Sequence, residues 1–514
     1  MPARTRAKSG QARRASIFQT DLCTRVIAPW VFYPLRDFFH LAMTSAACWR
    51  EASETLEVLD LTCQFKLTGV GFKRLTATFP NLRSIEFDFS SQFVTDATII
   101  FELPRLASLR ELKLTHCNVT IAGMRHLPEK LESLTLGENL LSDEMLTTVA
   151  RRCTRLRSLN LGGCNAVTDA GIVEIATILA LKKVNLSHSN ITDLALAYVV
   201  EHCDLDFLDV SFCDNVTDVS IFAIAAHCPS LKGLAMHATP GEDRVTEASI
   251  PALARCVSLT SLNLSSRNKL TDCSIVPLVA HLSRLVVLNL HDCSIGELTG
   301  LAIGRSCPML EDLNIQDSCH FDGGPRGRRA GFAKERGISD AFMVAVASGC
   351  RRLRMLKLSS DMISDLSLVA LARWSIDLRL LMLRGRSKVT DVGCMALALG
   401  CLLLRHISLM TEHVTSQGIA AFSSLNSIWL HRTDRVELSG LKALMRRSPN
   451  LTNVIAENCE NLPEPLFYLM RDDLDEFQQS HPTLMKEMRW NADKHERGTS
   501  DFKYFGPLLA GVYK

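Results

Sequence analysis

Cysteine, aspartate, histidine and asparagine are the residues of this chain that could do chemistry, and they recur at fixed places. Eighteen cysteines could serve as nucleophiles, metal ligands or disulfide partners. Cys153, Cys203, Cys228, Cys256, Cys307, Cys350 and Cys401 each fall just before a Leu-rich stretch, and Cys117, Cys164, Cys213 and Cys293 each stand eight residues after the first Leu of one. Both places call for a small apolar side chain, and free Cys is among the most readily buried residues. No Cys-x-x-Cys pair has zinc spacing, and in His202-Cys203 and His227-Cys228 the His simply precedes the recurring Cys. The expectation is reduced thiols in a cytoplasmic or nuclear compartment, with no metal and no cofactor. The chain has no Gly-x-Ser-x-Gly, no His-Glu-x-x-His and no phosphate-binding Gly-Lys-Ser/Thr loop, and Gly69-Val70-Gly71 lacks a third glycine. Residues that recur once per repeat serve the fold, so an enzyme is not expected.

The elements that hold these residues come from one repeated phrase, Leu-x-x-Leu-x-Leu. It restarts at Leu56, Leu82, Leu109, Leu131, Leu156, Leu181, Leu205, Leu231, Leu259, Leu285, Leu310, Leu353, Leu378, Leu404, Leu425 and Leu451, mostly at intervals of 24 to 28 residues. That spacing lies within the roughly 20–29 residues of leucine-rich repeats. In each copy the first, fourth and sixth positions alternate as a short parallel strand facing the core. A Ser/Thr-Asp pair follows, as at Thr95-Asp96, Ser142-Asp143, Thr168-Asp169, Thr192-Asp193, Thr217-Asp218, Thr271-Asp272, Ser339-Asp340, Ser364-Asp365 and Thr390-Asp391. Such a pair caps a helix, its side-chain oxygens accepting from free amides. After Thr168, Ile172, Ile175, Ala176 and Leu179 form one helical stripe. The predicted fold is α/β: a leucine-rich-repeat solenoid (horseshoe) with a parallel concave sheet and convex helices, about 16 repeats over residues 56–462.

Around the array the sequence changes character. Residues 1–16 are basic and read as a disordered tail; residues 17–55 form a separate helical unit; residues 463–514 read as a C-terminal cap and tail. The interval from Leu310 to Leu353 is 43 residues, and its excess lies in a basic loop insertion, 319–337, containing Gly323-Gly324-Pro325-Arg326-Gly327-Arg328-Arg329. A formal charge of +2 gives no nucleic-acid address. No apolar run approaches the roughly 20 residues of a membrane helix, so no membrane partner is expected.

The segment before the array reads Leu22-Cys23, then Pro34-Leu35-Arg36-Asp37-Phe38-Phe39, Leu41-Ala42-Met43 and Trp49-Arg50. Together with the Cys-containing repeats it resembles the F-box/leucine-rich-repeat family, the substrate receptors of cullin-RING ubiquitin ligases. An F-box begins with Leu-Pro and an amphipathic helix, continues through a Leu-x-Asp-Leu turn, and closes on Trp-Arg before the first repeat. The second half matches. In the first half Leu22-Cys23 replaces Leu-Pro, and Pro29 falls within the would-be helix, where it breaks or kinks it. By the resemblance, Leu22, Val26, Pro34, Leu35, Phe39 and Trp49 would bind the F-box adaptor that links the receptor to cullin, and the departure bears on that binding.

A protein substrate would lie on the concave face, reached by the second, third, fifth and seventh positions of each repeat. Early repeats place Asp60, Glu86 and Asp88 there, and middle repeats an Asn series, Asn160, Asn185, Asn263, Asn289 and Asn314. Late repeats place Met382, Arg384, Met410, Trp429 and His431, a set of exposed apolar and basic groups typical of binding hot spots. The expected role is a non-catalytic substrate-recognition subunit, monomeric within an SCF-type complex. The alternative is a leucine-rich-repeat scaffold in a large assembly, flagellar or cytoskeletal, with a vestigial F-box. A third reading is a ligase-independent regulator that works by binding.

Overall fold

The computed structural model describes residues 57–61, 69–88, 94–239, 241, 243–316 and 338–462. These belong to two compact units, one reaching Ser294 and one beginning at Ile295. The first carries ten strands in chain order: β1 Val58–Asp60, β2 Ser84–Asp88, β3 Glu111–Thr115, β4 Ser133–Thr135, β5 Ser158–Asn160, β6 Lys183–Asn185, β7 Phe207–Asp209, β8 Gly233–Ala235, β9 Ser261–Asn263 and β10 Val287–Asn289. The second carries six: β11 Asp312–Ile315, β12 Met355–Ser359, β13 Leu380–Arg384, β14 His406–Met410, β15 Ser427–His431 and β16 Asn453–Glu457. Within each unit every strand pairs in parallel with the next, without crossovers. Strand, turn, helix and strand repeat as a leucine-rich-repeat solenoid arrangement.

The Leu phrase builds the core as its alternation requires. Leu156, Leu159 and Leu161 of one repeat and Leu378, Leu381 and Leu383 of another are all buried. The paired Ser or Thr is the N-cap at Ser142, Thr168, Thr192, Thr217, Thr271, Ser339, Ser364 and Thr390, its side chain accepting from a first-turn amide. The Cys that ends each apolar stretch is the C-cap at Cys153, Cys203, Cys228, Cys307, Cys350 and Cys401. All of these are buried and none of the described cysteines forms a disulfide. Burial pushes the thiols of Cys153, Cys228, Cys307, Cys350 and Cys401 up to about 12. They are protonated, inert packing groups rather than nucleophiles.

The Asp of most of these pairs has a second task that the capping argument does not contain. It accepts from the cap residue of the following repeat, through both amide and hydroxyl. Asp143 takes the Thr168 amide at 2.9 Å and its hydroxyl at 2.6 Å; Asp193 does the same for Thr217, Asp340 for Ser364, Asp365 for Thr390 and Asp391 for Thr415. A carboxylate with two donors in a fixed fork ties helix to helix within each unit. Where the pair is Thr246-Glu247, the Glu carboxylate takes over the task for Thr271.

Asp193 also accepts from the Ser220 hydroxyl. Burial works to raise its pKa, but the Ser220 and Thr217 donors outweigh that and hold it below the usual carboxylate value. A depressed pKa contributes stability above the unfolded value of about 3.9, which is lost as pH falls through the lower folded one. Asp193→Ala is expected to cost about 1.5 kcal/mol at neutral pH, the low end for charged hydrogen bonds because the site is partly exposed. Urea denaturation across pH checks it: the gap between wild type and variant closes below about pH 4. An equal gap at neutral and acid pH contradicts the ladder's electrostatic role.

Several sequence expectations fall outside the described residues. These are the segments 1–16 and 17–55, the loop 319–337, the stretch 463–514, and the side chains of Asp60 and Asp88.

Candidate functional site

The residues expected to bind a partner lie on the sheet face of the second unit opposite its repeat core. Register aligns them in rows. Lys357, Met382, Ser408, Trp429 and Ile455 stand side by side from β12 to β16. Ser359 pairs with Arg384, and Met410 with His431 and then Glu457, in the row one pleat further along. Met355, Leu380, His406, Ser427 and Asn453 form the row before.

The five residues taken from the sequence therefore share one face, and direct contacts join several of them. The Arg384 guanidinium lies over the Trp429 ring, 5.5 Å from its centroid, a cation–π pair. Trp429 packs against a cluster of Met355, Leu380 and Met382. His431 Nδ1 is 3.5 Å from Glu457 Oε2. Met410, Trp429, His431 and Arg384 are half-buried.

Met382 corrects the expectation of an exposed anchor: its exposure is 6%, with Leu380 at 4% and Met355 at 3%. Met382 supports Trp429 from beneath and is not itself presented. The residues leading to it form an unbroken apolar run, Leu380-Leu381-Met382-Leu383, and such a run marks a strand buried on both faces. That signal was available in the sequence. The first unit shows the contrast, because β4, β5, β7 and β9 bury only their central residue.

Three further groups complete the site, and their chemistry depends on burial that the sequence does not state. The Lys357 amine is lowered from its usual value by burial; Asp312 pushes it back up and Arg384 lowers it further. His406 is lowered by burial and then by Arg405, and its Nδ1 lies 2.7 Å from the Ser427 hydroxyl. The face thus combines Lys357 and Arg384 with His406, His431, a Trp and three Met, and among the described strand residues its carboxylates stand at the edges, Asp312 on β11 and Glu457 on β16. This suits an apolar segment carrying negative charge.

The open face of the first unit is polar and largely used by the fold. Glu86 accepts from Lys113 at 2.8 Å. The Asn series is structural: Asn160, Asn185, Asn263 and Asn289 each accept through Oδ1 from the amide two residues on, at 2.9, 2.8, 3.0 and 3.1 Å. Each side chain closes the turn that leaves its strand. The residue after that turn is left-handed in many repeats, as at His188 (φ 53°) and Phe212 (φ 58°), with Gly163 (φ 77°) in the equivalent place. His188 stacks on Phe212 at 4.1 Å, and Phe212 on His237 at 4.3 Å. No residue type is constant there, so the position is silent in the sequence.

Among the described residues no group of three or more His, Cys, Asp or Glu could hold a metal ion, and no helix is long and apolar enough to cross a membrane. The leucine-rich-repeat family model matches residues 152–176, from the end of one helix through β5 and into the helix Asp169–Ile178. The fold is that of a leucine-rich-repeat solenoid. Its array is similar to the antagonist of mitotic exit network protein 1 of Eremothecium gossypii, 36% identical over 176 residues, covering 32% of this chain and 44% of that one. The same-named protein of Candida glabrata is 31% identical over 152 residues, covering 28% and 29%. The BTB/POZ domain-containing protein FBL11 of Arabidopsis thaliana is 26% identical over 219 residues, covering 37% and 23%. The matched stretch spans less than half the length of each of these relatives. Among solved structures, the Rad7–Elc1 complex of yeast has a chain matched at TM-score 0.44 and 16% identity over 88% of this chain and 95% of that one. An internalin of Listeria monocytogenes is matched at TM-score 0.44 and 20% identity, over 76% and 94%.

Proposed function

We propose that this leucine-rich-repeat protein is a non-catalytic substrate-recognition subunit of an SCF-type cullin-RING ubiquitin ligase. The observation that carries the reading is one of placement. A segment resembling an F-box and ending in Trp49-Arg50 stands directly before the repeats, and the late repeats offer a sheet face of large apolar and basic groups. In this reading residues 22–51 dock the adaptor that links the chain to cullin, and the Trp429 face holds the protein to be modified. Bond-making belongs to the partner subunits, while this chain supplies proximity and orientation.

A second reading has its own support. The relatives from Eremothecium and Candida are named antagonists of the mitotic exit network, which favours a regulator that acts by holding its partner without modifying it. Both readings use the same face. A reconstituted reaction separates them: the full chain with adaptor, cullin, RING protein and the captured partner is expected to place ubiquitin on that partner. A partner that stays bound and unmodified would favour the antagonist.

A further inference from the structure

Two neighbouring turns of the second unit carry large apolar side chains that the repeat does not need. Each turn joins a helix to the next strand. One follows the helix Asp365–Trp374 and holds Ile376; the other follows the helix Asp391–Gly400 and holds Leu402 and Leu403. They lie side by side: the Arg405 amide donates to the Arg379 carbonyl at 2.8 Å, and the Cys401 thiol lies 3.4 Å from the Ser375 carbonyl. Leu399, in the last turn of the second helix, is 80% exposed, Leu402 63%, Ile376 59% and Leu403 40%. Single exposed apolar residues are ordinary, but four gathered at adjacent turns mark a surface that meets another apolar body. The fold does not ask for them. In other repeats the two residues before the first Leu are Glu129-Lys130, Thr154-Arg155, Pro229-Ser230 or Ser283-Arg284.

Cations surround this patch. Arg351 and Arg352 hold, one repeat earlier, the positions of Ile376 and Asp377, and the Arg373 guanidinium lies over the Trp374 ring, 5.1 Å from its centroid. These three arginines and Arg379 are exposed, and none of them is in an ion pair among the described residues. Asp377 is the one carboxylate in the two turns.

We propose that this edge of the second unit is a docking surface for an anionic lipid bilayer. Charge favours that occupant, because the arginines repel a second copy of the chain and attract a surface of phosphates. Shape favours it too. Leu399, Leu402, Leu403 and Ile376 stand out from the turns, so a rigid partner needs a matching hollow, whereas headgroups and acyl chains close around any outline. Trp374, half-buried beneath Arg373, is the kind of amphipathic ring that sits at headgroup level. Docking of this kind is peripheral, and the lack of a membrane-length apolar helix bears on crossing alone. The Trp429 face is built by strands and these residues by turns, so the proposal stands apart from the function proposed above.

Sedimentation of the full chain with vesicles tests it, using phosphatidylcholine alone and an equal mixture of phosphatidylcholine and phosphatidylserine. The wild type is expected on the mixed vesicles and in solution with phosphatidylcholine alone. The variant Leu399→Ser/Leu402→Ser/Leu403→Ser, whose charge is unchanged, should bind the mixed vesicles roughly tenfold more weakly or worse, because the burial of the leucines is lost. Its thermal unfolding should match the wild type, since all three side chains are exposed. Arg351→Gln/Arg352→Gln should lose about as much, through the missing attraction to anionic headgroups. The leucine variant decides the matter, because the basic residues 1–16 also attract anionic vesicles by charge. Wild-type binding in that variant would overturn the proposal, and so would equal binding of the wild type to both vesicles. A wild type that ignores the mixed vesicles would overturn it as well, and would leave the patch to an acidic protein partner.

Discussion

Asp243→Ala is expected to destabilise the first unit by about 3–5 kcal/mol, the largest loss any single polar substitution should cause in the described residues. Its partner Arg267 is 5% exposed, its Nε–H donates to the Met236 carbonyl at 2.9 Å, and its guanidinium is paired with the Asp243 carboxylate. Burial lowers the Arg267 pKa, and the charge and hydrogen bond of Asp243 oppose that. Removing the carboxylate leaves a guanidinium in a place that excludes water. The reverse does not follow, that the pair is a net source of stability. The second carboxylate oxygen of Asp243 is buried without a hydrogen-bond partner, so part of its desolvation is unrecovered. The double variant Asp243→Leu/Arg267→Met should therefore recover most of the loss, as apolar replacements of buried ion pairs do. Urea denaturation of the three variants checks both statements. A loss below about 1 kcal/mol for Asp243→Ala would mean that the pair behaves as a surface one.

Trp429→Ala is expected to weaken capture of the external partner by about 2 kcal/mol or more, roughly 30-fold. The residue combines a large ring, a base of Met355, Leu380 and Met382, and a guanidinium on its face. Arg384→Ala should cost less, about 0.5–2 kcal/mol, because it removes the cation–π contact and keeps the ring. Met382→Ala acts differently. It leaves a cavity under the ring and should lower stability along with binding, whereas Trp429→Phe keeps both in part. Calorimetric titration of the captured partner, with thermal unfolding of each variant, separates the two effects. Wild-type affinity in Trp429→Ala would remove the late repeats as the binding surface.

Much of the fold was legible because each repeat states it again. The Leu phrase marks the strands, the Ser/Thr-Asp pair marks the first residue of a helix, and Cys marks its end; the structure puts all three where the period does. Those signals are local, depending on neighbours a few residues away. The links between repeats are not local. Nothing in Thr168-Asp169 says that Asp169 will hold Thr192, 23 residues on, because that depends on how one repeat stacks on the next. The same limit explains the Asn series. An Asn on a strand facing away from the core reads as a surface group, and only the turn that follows shows it closing on its own backbone.

At the site, the face was legible and the burial was not. Alternation along a strand assigns Met382, Arg384, Met410, Trp429 and His431 to one side of the sheet. Whether that side meets solvent depends on what lies over it. The apolar run Leu380 to Leu383 carried that information, and alternation alone passed over it.

The most direct measurement is a pulldown with the full chain and with a chain lacking residues 1–55, probed for the F-box adaptor and cullin. The account predicts both on the full chain and neither on the shortened one, which should still hold its Trp429-dependent partner. Neither adaptor nor cullin on the full chain would contradict it, and would leave a repeat protein that acts by binding alone.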